Sequence, residues 1–521
     1  MSENRLPIAP LLALATAVAA LLRLPFLGSQ GLWFDETYTA TVVSAGGPGA
    51  LWERIGSSES TPPLFYALTW AWTGIAGDGE AALRTVSAVA TIAAVPVAYA
   101  AVRRLVGERA ALATAAIVAV SPLLVHYALD ARAYGLLVLT GLLSVWACSA
   151  VLERPASTRR WALWALAAAA AIWTHWFAGF VVLGEAVALL WLLPGRRRTA
   201  LLAAGAILLA LLPVVPLLLD QVGDARAAFI TDRPLTDRLE QFVRELALGP
   251  NIPRTWLEAA GLALALGGLA VGAVMTVRRA LGDGRPALAS DRPATAGGPT
   301  EPGVARNAED ATPPSDATLD PAIAARALLA ILAVAVLAPL VLSASGAYDR
   351  FFIRNTIAVL PLAAAIAAVA LIRLRAVSLA LYLTVALTAT VWIATDWRQQ
   401  SADWRGAVEA TAIRGAPVIA ATDRGGPTAA HYVGRKPTTA PLTTRRAILF
   451  VEPVRATGRR DLAATTAPAE ATLATLFPNR TERTHRGFGI VELTAPEPVV
   501  IDPAALPGTT VLQGINRGSP Q

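Results

Sequence analysis

Eleven apolar runs of roughly 16–22 residues, about the length that crosses a bilayer, dominate this chain. In hydrocarbon every backbone N–H and C=O needs an internal partner, so such runs fold as helices. They lie near 7–26, 82–102, 110–125, 134–152, 161–176, 177–193, 199–219, 256–277, 322–343, 357–372 and 377–395. Of the 521 residues only 16% are charged, against about 25% in soluble proteins, which excludes a single soluble globule. The first run is too long for the apolar part of a signal peptide. Its small residues sit mid-run, with Leu21, Leu22 and Leu24 still to come, so it reads as an anchor.

Charge assigns the sides. Arg103, Arg104 and Arg109 follow the second run, Arg154, Arg159 and Arg160 the fourth, and Arg196, Arg197 and Arg198 the sixth. Arg278 and Arg279 follow the eighth, Arg373 and Arg375 the tenth. Arginines on every second loop predict that those loops are cytoplasmic, with the N-terminus inside and the tail from Asp396 outside. The segment 62–76 is apolar but short and opens with two prolines. As a span it would turn every arginine cluster outward. It reads instead as a helix in the outer interface, with Tyr66, Trp70 and Trp72 at headgroup level.

The expected fold class is thus an all-α polytopic transmembrane bundle of about eleven spans, N-in/C-out, with a small extracytoplasmic α/β domain at the C-terminus. Residues 1–395 form the membrane domain, with a first outer loop at 27–80 and a disordered, Ala/Pro/Gly-rich cytoplasmic linker at 282–321. Residues 396–521 form the external domain, with strands expected at 417–421, 447–451 and 488–493. The net charge of +7 is almost all arginine, with Lys436 the single lysine, and reads as membrane topology rather than a nucleic-acid footprint. Cys148 alone excludes an internal disulfide or a cysteine metal cluster.

The distinctive polar residues gather at the outer ends of the runs, where an ionisable group without a role is costly. The first outer loop carries Gly31-Leu32-Trp33-Phe34-Asp35-Glu36-Thr37-Tyr38. An acidic pair against a low-dielectric surface can supply a general base, and Asp35 can equally be the N-cap of a helix over 36–44. His126-Tyr127-Ala128-Leu129-Asp130-Ala131-Arg132-Ala133-Tyr134 places an acid and an arginine two apart. Arg132 suits a phosphate or an internal ion pair with Asp130. Trp173-Thr174-His175-Trp176 joins the fifth and sixth runs, where His175 reads first as a packed or interfacial histidine. Arg350 and Arg354 precede the tenth run, four apart, and on a helix would share a face. Two outward cations oppose the positive-inside bias, which favours an anionic ligand over a topological role; lipid headgroups are the plainer alternative. No dinucleotide fingerprint, Walker loop, HExxH or CxxC is present.

These residues, in order, carry a resemblance. Leu32-Trp33-Phe34-Asp35-Glu36, Thr61-Pro62-Pro63-Leu64-Phe65-Tyr66 and Gly77-Asp78-Gly79-Glu80-Ala81-Ala82-Leu83-Arg84 resemble the membrane glycosyltransferases of the C-type fold. The family 39-like group is the nearest, with its protein O-mannosyltransferases and aminoarabinose transferase. Ser121-Pro122-Leu123-Leu124, Tyr127, Asp130 to Tyr134 and Thr174-His175-Trp176-Phe177 extend the likeness over about 7–195. It implies inverting transfer of a sugar from a polyprenyl-phosphate donor to an acceptor hydroxyl on a glycan, lipid or protein, and the Arg-rich, Lys-poor, Ala-rich composition points to a bacterial cell membrane. It also implies Asp35 as base, Glu36 beside it, Asp130 as the second-loop acid and Arg132, Arg350 and Arg354 on the donor phosphate. Tyr38, Tyr127, Tyr134 and His175 would line the substrate pocket. Relatives often have His in place of Thr61 and Gln-Glu in place of Leu129-Asp130. Some bind a divalent cation, for which no ligand set stands out here, and no other cofactor is expected. Two further readings stand beside this one. A flippase for a lipid-linked saccharide would need ionisable groups at mid-bilayer, where Glu185 is the main exception. A polymerase or ligase would take a lipid-diphosphate donor.

Overall fold

The computed structural model describes residues 7–222, 228–250, 252, 255–282, 319–374, 376–396, 402–456, 459–462 and 467–514. Helix α1 (Ile8–Leu21) is followed by a folded loop containing α2 (Phe34–Val43), α3 (Pro48–Ser58) and α4 (Leu64–Ala76). The bundle continues with α5 (Glu80–Val106), α6 (Glu108–Val120), α7 (Pro122–Ala128), α8 (Tyr134–Glu153), α9 (Thr158–Thr174) and α10 (Ala178–Leu192). Next come α11 (Arg197–Leu211), α12 (Val215–Val222), α13 (Ala228–Thr231), α14 (Leu235–Leu248) and α15 (Trp256–Leu281). The last helices of the bundle are α16 (Pro321–Ala344), α17 (Leu360–Leu374) and α18 (Ala376–Thr395). The linker expected over 282–321 lies almost wholly outside the described residues.

All eleven apolar runs are helical, yet among the described residues only eight helical stretches are long and apolar enough to cross a membrane, or nine if the bent pair α6–α7 counts as one. The shortfall is α9 and α10, of 17 and 15 residues. They are consecutive, so omitting both leaves every later loop at the end of the bundle it already occupied. Helix α4 is 13 residues long, about 20 Å at 1.5 Å per residue and too short to span. Its Tyr66, expected at a lipid interface, is instead fully buried.

One break in the bundle turns a helix end toward the folded loop. Ser121 and Pro122 end α6 and start α7 at an angle of 52°. Proline at the first position of α7 loses no intrahelical bond, and the Ser121 hydroxyl accepts from the Leu124 N–H at 3.4 Å. The carbonyls this leaves at the end of α6 need partners inside an apolar bundle. Buried Arg23 donates to the Ala119 and Val118 carbonyls at 2.8 and 3.4 Å, and Thr390 of α18 donates to the Val120 carbonyl at 3.0 Å. Helix α7 is thereby tilted toward the same end as α2–α4. At the opposite end Arg104 and Arg160 converge on Glu153, at 3.3 and 2.8 Å.

The core is built from small residues that let helices touch. A methyl group added at Gly272 of α15 would lie 2.0 Å from the Ile366 carbonyl oxygen of α17, so the two backbones meet there. Within α10, Glu185 is buried and accepts from the Ser144 hydroxyl at 2.5 Å and the Trp164 indole at 2.7 Å. The one acid expected at mid-bilayer is thus held by two neighbouring helices.

Beyond α18 the tail forms an α/β domain. Strand β1 (Val418–Ala420) runs parallel to β2 (Leu442–Val451), and β3 (Pro453–Ala456) and β4 (Arg459–Leu462) form a separate hairpin. Strands β5 (Asn479–His485), β6 (Phe488–Ile501) and β7 (Thr510–Leu512) complete a sheet of order β5-β6-β2-β1-β7. The three short apolar runs seen in the sequence are three of its strands. Alternation divides them: Ile419, Ala447 and Leu449 pack with Leu473 and Phe477 of α21 (Ala467–Leu476) and its C-cap, and Val418, Ile448 and Phe450 with Trp404 of α19 (Trp404–Glu409) and Ala429 of α20 (Gly425–Val433).

Replacing Gly272 by Leu should lower the melting midpoint in detergent, because overpacking costs ~1–3 kcal/mol. A variant that melts with the wild type would show that α15 and α17 are not in backbone contact.

Candidate active site

The residues expected to act together do converge, at the end of the bundle carrying α2–α4, but with different partners from those the spacing suggested. Trp33 is the N-cap of α2, and Asp35 is the second helical residue rather than the cap. Glu36, at the third position, turns inward and accepts from the Trp33 N–H at 3.2 Å. It also accepts from Arg84 Nε and Nη2, both at 2.6 Å, and from the Ala131 N–H at 2.9 Å. Arg84 spends its remaining donors on the carbonyls of Leu27, Gln30 and Gly31, at 2.9, 2.7 and 2.9 Å. Both residues are buried. Expected beside the base in a catalytic role, Glu36 is instead an anchor with no oxygen left for a substrate.

Asp35 is 20% exposed and faces Arg354, 17% exposed, whose Nη1 lies 3.1 Å from Oδ2. The 349–356 segment is not helical, so Arg350 and Arg354 do not share a helix face. Arg354 lies over the rings of Tyr134 and Phe352, at 5.8 and 5.6 Å, and Arg350 over Tyr348 at 6.0 Å. Arg233, which the sequence did not single out, covers Phe352 at 5.9 Å and forms no ion pair among the described residues. The segment is held by Arg238 of α14, which pairs with Asp349 at 2.7 and 3.0 Å and donates to the Phe351 carbonyl at 3.2 Å. No apolar pattern marks Arg238 or Arg233, and only the fold reveals them.

Arg132 and Asp130 do not pair with each other. Arg132 takes Glu59, at 3.0 and 2.8 Å, and stacks 6.0 Å from the Tyr66 ring. Tyr66 in turn donates to Glu59 at 2.6 Å. Arg132, expected on the donor phosphate, is therefore engaged by a carboxylate. Glu59 escaped notice in the sequence, although it stands two residues before the Thr61-Pro62-Pro63 motif.

Asp130 accepts the Trp33 indole N–H at 3.1 Å on Oδ1, and Oδ2 is buried with no partner among the described residues. Burial, then the neighbouring Glu36 carboxylate, push the Asp130 carboxyl up to about 8. Near neutrality it is mostly protonated. The three guanidiniums Arg84, Arg132 and Arg354 then balance the three carboxylates Glu36, Glu59 and Asp35. Beside Trp33 and Asp130 opens a small pocket that reaches Gln30, His126, Thr390 and Ile393.

The aromatic candidates form a wall next to Arg354. Tyr127 and Tyr134 meet edge to face at 4.9 Å, and His175 lies 5.8 Å from Tyr134. Burial, with Arg354 and Arg132 nearby, pushes the His175 imidazole down to about 3. It is neutral, as its Nδ1 requires to accept the Phe177 N–H at 3.2 Å. Tyr38 stands apart from this wall and packs on Phe34 of its own helix, 5.1 Å away.

With this geometry in place, comparison with known proteins places the fold. Residues 60–219 match the family described as dolichyl-phosphate-mannose-protein mannosyltransferase. The crystal structure of ArnT from Cupriavidus metallidurans bound to undecaprenyl phosphate superposes over 93% of this chain and 98% of its own, at 13% identity and a TM-score of 0.53. The fold is that of the C-type membrane glycosyltransferases. The ordered motifs of the sequence agree with the family 39-like group within it. The archaeal oligosaccharyltransferase AglB from Archaeoglobus fulgidus, in complex with an inhibitory peptide and a dolichol-phosphate, aligns over 78% of this chain and 58% of its own, at 13% identity and a TM-score of 0.48. No curated protein matches the sequence.

Anchor and working carboxylate should separate by stability. Glu36→Gln leaves the Arg84 guanidinium buried without its counter-charge and should cost ~3–5 kcal/mol. Asp35→Asn breaks a partly exposed pair and should cost at most ~1 kcal/mol. Melting of both variants in detergent checks this, and equal losses would contradict the assignment. Asp130 has a pH signature. Between its ordinary value and about 8 the folded chain holds a proton that the unfolded chain has lost, so stability falls as pH rises through that window. Asp130→Asn should flatten the fall between pH 6 and pH 8 in the same melting assay.

Proposed function

We propose that this protein is an inverting glycosyltransferase that moves a sugar from a polyprenyl-phosphate donor to an acceptor hydroxyl at the extracytoplasmic face of a bacterial cell membrane. The single observation that carries the reading is the Asp35–Arg354 pair: a partly exposed carboxylate and guanidinium, 3.1 Å apart, at the end of a C-type bundle. Each half has one chemical task. The acceptor O–H gives its proton to Asp35 as the acceptor oxygen bonds to the anomeric carbon. The bond from that carbon to the phosphate oxygen breaks, and its electron pair leaves on the polyprenyl phosphate.

The leaving phosphate gains negative charge as the bond breaks, so fixed cations beside it favour the transition state over the ground state. Arg354, Arg350 and Arg233 supply them. Tyr348 and Phe352 hold these guanidiniums by their faces, a contact that spends no hydrogen-bond donor. A donor phosphate competes with Asp35 for Arg354, and its binding frees the carboxylate to take a proton. Tyr127, Tyr134 and neutral His175 form the wall against which the sugar lies, with Tyr38 as a further residue of the substrate pocket. Glu36, Glu59 and Arg132 hold the loops, and protonated Asp130 offers a hydrogen bond through Oδ2. Among the described residues no group of three His, Cys, Asp or Glu side chains suits a metal ion.

The reading places 1–395 as the membrane catalytic domain, with its loop at 27–80 and a cytoplasmic 282–321, and 396–521 outside. The acceptor is a cell-envelope glycan, glycolipid or glycoprotein, and the sugar a hexose or pentose. The test is purified protein with labelled polyprenyl-monophosphate and polyprenyl-diphosphate sugars. Asp35→Asn should lower transfer by ~10²-fold or more and retain binding of polyprenyl phosphate, which Arg354→Ala should lose. Undiminished transfer by Asp35→Asn would remove the proposed base, and turnover of the diphosphate donor alone would favour a polymerase or ligase.

A further inference from the structure

The base-bearing loop is held from two sides, and one side is the tail domain. On the membrane side, Arg84 grips the carbonyls of Leu27, Gln30 and Gly31. On the other, Tyr432 of α20 accepts the Leu32 N–H and donates its hydroxyl to Glu80 at 2.5 Å. Arg405 of α19 pairs with the second Glu80 oxygen and donates to the Gly28 carbonyl at 3.2 Å. These partners lie more than 320 residues apart in sequence. Leu32 is fully buried against Tyr432, Leu83 and Ala131. Position 31 has room for little beyond glycine between the two sides: an added methyl would lie 3.1 Å from the Tyr432 hydroxyl and 3.3 Å from the Arg405 backbone nitrogen.

The tail residues are themselves rigidly placed. Arg405 follows Trp404, whose ring is buried 5.7 and 5.0 Å from Phe450 and Phe488 of the sheet. Burial and the Glu80 carboxylate hold the Tyr432 phenol far above its ordinary range, so it stays a donor. Glu80 is the first residue of α5 and Arg84 lies one turn later, so one helix end carries both grips. The residue after Leu32 is Trp33, which caps α2 and reaches Asp130; two further on is Asp35.

We infer that Tyr432 and Arg405 are positioning residues for Asp35: the tail domain, latched through Glu80, sets the loop that aims the base. The inference rests on the transferase reading for its kinetic consequence but not for its structural one. His431 and Tyr432 both lie in α20, and Tyr432 is at the domain junction.

The experiment uses the full chain in detergent or nanodiscs with Tyr432→Phe, Arg405→Ala and Arg405→Lys. Hydrogen exchange at residues 28–36 should rise at least tenfold in Tyr432→Phe and Arg405→Ala, with the sheet strands β2 and β6 unchanged. Arg405→Lys should restore much of the protection. With a polyprenyl-phosphate sugar, kcat should fall about tenfold while KM for the donor stays within twofold. Unchanged exchange at 28–36 overturns the latch, and so does exchange raised equally across the tail, which marks general destabilisation. A wild type that binds no polyprenyl phosphate defeats the transferase reading instead, and the exchange result still decides the latch.

Discussion

The buried Glu36–Arg84 pair is the interaction on which the candidate site depends. Taking two charges out of water is costly, and such a pair is tolerable only when the remaining donors and acceptors are satisfied. Here they are: Glu36 accepts four hydrogen bonds and Arg84 also ties three carbonyls of the preceding loop. That single knot joins the start of α5, the cap of α2 and the Asp130–Arg132 loop. Without it the stretch between α1 and α2 would be held only by the tail-domain contacts of Tyr432 and Arg405.

The knot also explains why adjacent acids have different fates. Successive residues on a helix point about 100° apart, so once Glu36 is turned into the bundle, Asp35 must face sideways toward the 349–356 segment. There it meets Arg354 at a partly exposed position. Asp130 takes a third fate, buried beside Glu36 and pushed toward its protonated form. One short region thus holds a carboxylate as anchor, another as accessible anion and a third as neutral acid, separated by burial rather than by residue type.

Much of the fold was legible in local composition. Every apolar run became a helix, and the short apolar runs of the tail became strands, because run length and hydrophobicity act over a few neighbours. The clustering of polar groups at one end was legible too, since ionisable residues are sparse within the runs themselves. The failures were of another kind. Arg350 and Arg354 looked like a helix face, but the segment is a non-helical connection with a turn at 353–355, pinned by Arg238. Asp130 and Arg132 looked like a pair, but Glu59 was better placed. Tyr66 looked interfacial, but it is fully buried.

Each of those failures concerns which charged or aromatic group meets which. The sequence by itself determined a polytopic helical bundle with a small α/β tail, a set of acids and arginines at one end of the helices, and the motif order of its fold. Only the tertiary structure decided that Glu36 and Arg84 are buried together, that Asp35 faces Arg354, that Arg233 covers Phe352 and that the tail grips the loop beside Asp35. Hydropathy is a property of a residue and its neighbours along the chain, whereas an ion pair belongs to two residues that packing brings together. No local pattern records which of several nearby partners the packing will choose.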